Sequence, residues 1–474
     1  MKLFALTKNL HCRIVGNSGV EIKGLYHKDT EVKTGGLFFC LRGTQVDGVN
    51  FVFSAIKNGA VAIVVEQEIS NISGVAQVIV KDAREAMSLI ACRFFGNPAD
   101  KLKIIGVTGT NGKTTITTMI SKVLEYAGHK TAVVGTNGIV LSGVKHNTGM
   151  TTPDPIELQR YFSIMVRQKV EYVCMEVSAH AIDLKKICGI RFVGCIFTNL
   201  TEDHLDYFKD LSRYFLAKAK LFSRVFTNFA VINIDDDYGR KLCESINIPF
   251  KTYAINNDAD IVASNIQMQG ASQIFKVENI DYMLNLAGKF NVSNALAVIM
   301  VCRELGIAED VIKAGLQQIE HIEGRFNTFL VQGKMVVVDY AHTPDGLKNV
   351  LMASREIAGG NKVISVFGCG GNRDREKRAI MGEISSRLAD FTVITTDNPR
   401  FEKREDIISD IKKGVVGENY LVEIDRVTAI KKAIDYAKSG DVVLIAGKGA
   451  EPYIDENGHK IPYSDLKEIE KYRR

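Results

Sequence analysis

Runs of four to six apolar residues, each closed by glycine or a polar cluster and followed by a stretch of helical periodicity, recur along most of this chain. Continuous apolar runs are the mark of strands buried on both faces, and their alternation with amphipathic helices predicts parallel α/β sheets. Three blocks are predicted. Residues 1–98 mix strand-like runs at 36–41, 60–65 and 76–80 with a helix over 83–95, and Asn97-Pro98 makes the break. Residues 99–325 alternate helices with strands at 104–107, 131–134, 172–176, 194–198 and 230–233, as a doubly wound sheet requires. Residues 326–474 repeat that rhythm with strands at 335–339, 363–367, 391–395 and 441–446. Ligands of such sheets collect at the carboxyl ends of the strands. In the third block those ends read Asp339-Tyr340-Ala341-His342, Gly368-Cys369-Gly370-Gly371-Asn372-Arg373, Asp397-Asn398-Pro399-Arg400 and Gly447-Lys448-Gly449-Ala450-Glu451.

Composition narrows the class without naming it. Hydrophobic residues make up 46% and charged ones 24% of 474 residues, ordinary for a soluble globular chain of several domains. A net charge of +5, spread along the chain, gives no sign of a nucleic-acid groove. The nine cysteines form no Cys-x-x-Cys pair, which favours reduced thiols in a cytoplasm over a disulfide or zinc framework. Early charges argue against a signal peptide, and no apolar run is long enough to span a bilayer, so no membrane role is expected.

The chemistry begins with GVTGTNGKTT at 106–115, set between an apolar run and a helical pattern. A glycine-rich turn there points backbone N–H groups of Gly109, Thr110, Asn111 and Gly112 at an anion, at the positive end of the helix dipole. Lys113 would reach the outer phosphates of ATP, Thr114 would offer its hydroxyl to Mg²⁺, and Thr115 completes the motif. The spacing departs slightly from the usual P-loop, since Gly106 falls one residue early and Val107 stands in the expected place. The fold class expected is α/β with three domains: a small mixed N-terminal domain, a central P-loop ATPase domain and a C-terminal Rossmann-like domain. Glu176 closes a strand of the central block, where a carboxylate can take Mg²⁺, and His204 lies among acids after the next strand. Glu176 alone reads equally well as a surface acid and His204 alone reads better as an ordinary loop histidine; beside a phosphate loop the pair is more telling.

TGTNGKTT, MEVSAHA, FTNLTEDHLDY, AKAKLF, GKFNVSNALA, EGRFN and DYAHTPDGL follow one another as in the Mur ligases, which this chain resembles over nearly its whole length. These are the ATP-dependent amide-forming enzymes of peptidoglycan precursor synthesis. The resemblance implies that Lys113 and Thr114 meet ATP and its magnesium, that Glu176 and His204 ligate a second Mg²⁺, and that Lys218 is carbamylated. Residue types alone would read Lys218 as an exposed lysine, and Lys220 competes for the role. Asn294 matches a position near the adenine, Arg325 one that closes over the nucleotide, and Asp339 and His342 sit at the third block's first strand end. Asp29, Thr30, Thr151, Thr152, Ser178 and Lys186 fall at positions implied to hold a UDP-muramoyl dipeptide. A monomer is expected.

DNPR at 397–400 and AGKGAE at 446–451 draw the resemblance toward the members that add meso-diaminopimelate to UDP-N-acetylmuramoyl-L-alanyl-D-glutamate through an acyl phosphate. Arg373, Asp397, Asn398, Arg400, Gly447 and Glu451 are implied around the diamine. Diaminopimelate differs from lysine by a carboxylate beside its far amine, and the planar fork of Arg400 suits that group. Addition of L-lysine is the runner-up. The N-terminal block departs from the family pattern: Lys28-Asp29-Thr30 replaces Asp-Ser-Arg, Val49 replaces a histidine, and Lys186 and Lys289 replace arginines. Those changes leave open a paralogue with another acceptor. A folylpolyglutamate synthase-like ligase would lack the block before the P-loop and the DNPR element. A nucleotide-binding module without ligation would not need a second metal site.

Overall fold

The computed structural model describes residues 1–43 and 46–472, and its elements follow the apolar runs closely. The strands Ala60–Val65, Ala76–Val80, Tyr172–Glu176, Ala230–Asn233 and Val363–Phe367 have the predicted ends. Others shift by a residue or two: the run at 36–41 stops at Phe39, and the run at 441–446 begins at Val442. Asp441 lies just before it: its N–H turns back to the Lys438 carbonyl at 3.0 Å, and its carboxylate accepts from the backbone N–H groups of Lys362 and Lys438.

The chain divides into two compact units, and the boundary is not collinear with the sequence. The first holds Met1–Ile105, Lys130–Val193 and Val225–Thr227. Its five-stranded sheet runs in the order Cys12–Val15, Ala76–Val80, Ala60–Val65, Gly36–Phe39, Gly24–Tyr26, antiparallel only at the first pair. Leu37, Phe39, Ala62, Val64 and Val78 pack on one face of that sheet with Ile90 and Met87 of the helix Ala83–Phe94. The same unit pairs Tyr172–Glu176 in parallel with Thr131–Gly135, followed by the hairpin strands Gly138–Leu141 and Val144–His146, which the pattern did not reveal.

The second unit holds Gly106–His129, Gly194–Arg224 and Asn228–Arg474. The strands Gly194–Phe197, Ala230–Asn233, Phe250–Ala254 and Ile261–Gln269 pair in parallel, and the antiparallel strands Ser272–Val277 and Ile280–Leu284 extend the sheet. The strand Lys103–Thr108 ends in this unit and feeds the helix Lys113–Tyr126, which packs on the helices Lys289–Glu304 and Glu309–Gln317. A second sheet runs in the order Asn327–Val331, Lys334–Asp339, Val442–Ala446, Val363–Phe367, Phe391–Ile394, Tyr420–Val422, parallel except at its first pair. Its last chain segment inserts at the centre, so the polar ends after Asp339, Phe367, Ile394 and Ala446 lie along one edge. All nine cysteines are free thiols, six of them buried. No described helix is long and apolar enough to cross a membrane.

Candidate active site

The phosphate loop is held by its own unit before any ligand arrives. Gly109 has φ +151 and a Cβ there would collide with the Thr198 hydroxyl, so only glycine lets the turn lie against the next strand. Thr110 N–H donates to the Asn199 carbonyl at 2.9 Å, and Asn111 N–H to Asn199 Oδ1 at 2.8 Å. The Thr198 hydroxyl donates to the Asn111 carbonyl at 2.6 Å, and Asn111 Nδ2 to Asp345 Oδ2 at 3.0 Å. Gly112 precedes the first helical residue, Lys113, whose ammonium folds back onto the carbonyls of Gly109 and Thr110 at 2.9 and 2.8 Å. Thr115 is buried in the first turn, and Thr114 Oγ1 accepts from Arg325 Nη2 at 2.8 Å.

Arg325 and Asp339 form the next layer. Asp339 accepts from the backbone N–H groups of Phe326 and Ala341, each at 2.7 Å, which fastens the turn carrying Arg325 to a strand end. The Arg325 guanidinium lies 4.4 Å over the Tyr340 ring. Asn294, buried on the helix Lys289–Glu304, donates to Asn291 Oδ1 at 3.2 Å. His342 Nδ1 sits 2.8 Å from the Tyr340 carbonyl.

Electrostatics concentrate around Asp203. Burial alone would raise its pKa, but His204, His342, Lys377 and Lys113 outweigh that and hold it at about 2. His204, at φ +57, points Nε2 to within 3.3 Å of Asp203 Oδ2. Lys218 is buried on the helix Leu211–Ala219, donates to the Gly109 carbonyl at 2.8 Å and lies 4.4 Å from the centre of the Tyr214 ring. Burial, and then the positive charge of Lys113, pushes the Lys218 pKa well below 10.5. Lys220 is exposed.

Burial and Lys377 also lower His342 below its ordinary 6.5. A depressed histidine supports the fold above its unfolded pKa, and that support is lost as pH falls through the folded value. The melting temperature should therefore decline on acidification from about pH 7 to pH 5, and His342→Gln should flatten that limb. Parallel pH profiles for the two proteins would remove this account.

At the second sheet's edge, Asp397, Asn398 and Lys448 are buried together with the half-buried Glu451. Lys448 Nζ donates to Asn398 Oδ1 at 2.9 Å and Glu451 Oε2 at 2.6 Å, while Asn398 Nδ2 donates to the same glutamate oxygen at 2.8 Å. Burial raises the Asp397 pKa, but Lys448 and Arg426 more than compensate and keep it below the usual carboxylate range. Its Oδ2 is buried without a hydrogen-bond partner among the described residues, and an added Cβ on Gly447 would sit 2.5 Å from it. Such an orphaned acceptor is costly unless a ligand supplies a donor. Arg400, at φ +52, donates Nη1 to the Gly371 carbonyl at 2.6 Å, with Nε 3.8 Å from Asp455 Oδ2. Arg373 is exposed and 4.0 Å from Asp206.

The first unit carries the remaining candidates. Glu176 is buried at its strand end; Oε1 accepts from Thr136 N–H at 2.9 Å and Oε2 from Thr136 Oγ1 at 3.0 Å. Thr151 Oγ1 meets Thr136 Oγ1 at 3.1 Å, Thr152 Oγ1 donates to the Glu176 carbonyl at 3.0 Å, and Ser178 N–H donates to Thr152 Oγ1 at 3.1 Å. These four candidates form one network. Lys186 is neutralised by Asp154 at 2.8 Å, and His27 lies 3.7 Å from the same carboxylate. Asp29 accepts from Ser54 at 2.6 Å in the short turn Asp29–Glu31, which also carries Thr30.

Donor chemistry decides what could hold magnesium. Within the second unit the Thr114 hydroxyl is a hard oxygen and His204 offers a nitrogen; within the first, the Glu176 carboxylate is a hard oxygen of the same kind. An ammonium cannot ligate a cation, so Lys218 fits only after conversion to an anionic form.

Residues 107–302 match the Mur ligase middle domain, 324–449 the Mur ligase glutamate ligase domain, and 21–95 the Mur ligase family catalytic domain. The chain is 42% identical over 465 residues to UDP-N-acetylmuramoyl-L-alanyl-D-glutamate--2,6-diaminopimelate ligase 1 of Clostridium acetobutylicum, covering 96% of this chain and 95% of that protein. The chain belongs to the Mur ligase family. A diaminopimelate ligase of Aquifex aeolicus is likewise 42% identical to this Mur ligase, over 94% of this chain and 93% of its own. Among solved structures, one of a UDP-N-acetylmuramoyl-L-alanyl-D-glutamate--2,6-diaminopimelate ligase aligns with TM-score 0.71 and 29% identity, covering 100% of this chain and 98% of that one.

Three residues that contact the candidates carry no signal of their own in the sequence. Asp203 stood in the TEDH string but was passed over for its histidine neighbour, and Thr136 lies in a turn without a motif. Lys448 sat inside AGKGAE, yet nothing local says that a lysine there is fully buried.

Proposed function

We propose that this Mur ligase adds meso-diaminopimelate to the D-glutamate of UDP-N-acetylmuramoyl-L-alanyl-D-glutamate at the expense of ATP, in peptidoglycan precursor synthesis. The observation that carries the reading is kinship at 42% identity, across 96% of the chain, with a ligase of that name. The γ-carboxylate of the dipeptide attacks the γ-phosphate of ATP, giving an acyl phosphate and ADP. The free amine of the diamine then attacks the acyl carbon, the C–O bond to phosphate breaks, and a proton leaves with the amide formed. Lys113 follows the phosphates as negative charge shifts between them, and the N–H groups of 109–113 bind the rest. Magnesium, when bound, neutralises phosphate charge and orients the transferring group. Thr114 is proposed for the magnesium that accompanies ATP, and Glu176, His204 and, once carbamylated, Lys218 for a second ion.

Asn294 and Arg325 are proposed for the nucleotide, with Asp339 holding Arg325 in place and His342 beside them. Thr151, Thr152, Ser178, Lys186, Asp29 and Thr30 are proposed for the UDP-muramoyl dipeptide. For the diamine, the orphaned Asp397 oxygen accepts from an ammonium, Asn398 and Glu451 offer further polar contacts, Gly447 leaves room beside Asp397, and Arg400 and Arg373 face carboxylate. The free thiols support a reducing cytoplasm, and the proposed working unit is a monomer.

The test is ADP release with the UDP-muramoyl dipeptide and meso-diaminopimelate, L-lysine or L-ornithine in parallel. Diaminopimelate should be preferred by about tenfold to a hundredfold, the worth of one charge-assisted contact. Arg400→Ala should raise the KM for diaminopimelate by a similar factor while the KM for ATP stays put. Equal use of lysine by the native enzyme would reassign the acceptor, and no diamine-dependent turnover would end the ligase reading.

A further inference from the structure

We propose that Arg426 is a positioning residue for the diamine site, tying the two strand ends that carry the site to the C-terminal segment of the chain. The proposal rests on the reading of Asp397, Asn398, Arg400, Gly447 and Glu451 given above. Arg426 opens the helix Arg426–Tyr436 and is only 2% exposed. Its Nε and Nη2 grip the fully buried Asp465 at 2.8 and 2.7 Å. The other contacts are more telling: Nη1 donates to the Thr396 carbonyl at 3.2 Å, and Nη2 to the Ala446 carbonyl at 3.0 Å. Those carbonyls belong to the planar peptide units that lead into Asp397 and Gly447, so fixing each oxygen fixes the plane from which the next residue departs. Only a guanidinium has enough donors in one plane to hold a carboxylate and two carbonyls at once.

Asp465 connects this tie to the tail. It begins the helix Asp465–Glu470 and accepts from the Tyr463 hydroxyl at 2.7 Å. The hairpin just before it, Tyr453–Glu456 with His459–Pro462, reaches the same site from another side. Asp455 N–H donates to Asn398 Oδ1 at 2.8 Å. Arg400 N–H donates to the Asp455 carbonyl at 2.9 Å and its own carbonyl accepts from Asn457 at 2.7 Å, which holds Arg400 in its left-handed conformation. A buried ion pair is weak evidence of stability, since apolar residues of similar volume often serve as well. Apolar residues could not hold the two carbonyls, which is the reason to assign the pair a role in the site.

The test follows from that difference. The double variant Arg426→Met with Asp465→Leu removes both charges together and should melt within a few degrees of the native enzyme. Its KM for diaminopimelate should rise about tenfold or more, with the KM for ATP and for the UDP-muramoyl dipeptide unchanged. Arg400→Ala is measured beside it. A raised KM in Arg400→Ala with a native KM in the double variant overturns the positioning role alone. Native values in both overturn the site reading and this inference with it. Should the double variant fail to fold, Arg426→Lys carries the same prediction, because an ammonium keeps the charge beside Asp465 but cannot hold the carboxylate and both the Thr396 and Ala446 carbonyls in one plane, and an unaltered diamine KM there refutes the tie.

Discussion

Lys113→Ala is expected to lower kcat about a thousandfold or more with little change in melting temperature. The side chain is the first residue of its helix, where a positive charge opposes the helix dipole, and it stands near the buried Lys218. Those two interactions are repulsive, while Asp203 attracts the ammonium and two loop carbonyls accept from it, so truncation removes terms of both signs. What disappears is the flexible cation proposed to follow phosphate oxygens through transfer. Steady-state ADP release and thermal melting on the same preparation separate the two effects. Turnover within tenfold of the native enzyme would show that the loop is not the phosphate site.

The second large effect concerns Lys218. With its pKa pushed well below 10.5, its amine is poised in the neutral, nucleophilic form far more than an ordinary lysine. Attack on CO₂ forms a C–N bond and releases one proton, leaving a carbamate. The swap of a positive for a negative group turns repulsion from Lys113 into attraction and creates a hard oxygen donor. Lys218→Met should therefore reduce kcat about a thousandfold, with little change in melting temperature, because the cost of burying the amine disappears together with its bond to the Gly109 carbonyl. Carbon-13 NMR in labelled bicarbonate should give a carbamate resonance in the native enzyme and none in the variant. Acidification should erase that resonance as the amine protonates. Native activity in Lys218→Met would dismiss the modification, and a persistent resonance would place it elsewhere.

How much of this was readable in advance differs by element. Strands buried on both faces announced themselves, because a parallel strand needs an unbroken apolar run and few other structures do. The strands of 261–284 were missed because buried and exposed positions alternate along them, and those of 138–146 because the apolar run Gly138–Leu141 is only four residues long and its partner Val144–His146 is largely polar and exposed. At the site, residues of the phosphate loop were legible since glycine, lysine and threonine must occur at fixed offsets along one turn. Asp203, Thr136 and Lys448 were not, since their importance comes from partners distant in sequence.

The amino-acid string by itself determined the α/β alternation, the turn that would cradle phosphates and the polar ends of the last sheet, because each depends on neighbours along the chain. Tertiary structure alone buried Lys218 and left Lys220 exposed, two residues apart and so on opposite sides of a helical turn. It alone showed Arg426 meeting Asp465 thirty-nine residues away and two strand ends besides. Burial converts such charges from surface solvation into fixed geometry, and burial is a property of the whole fold, not of any segment within it.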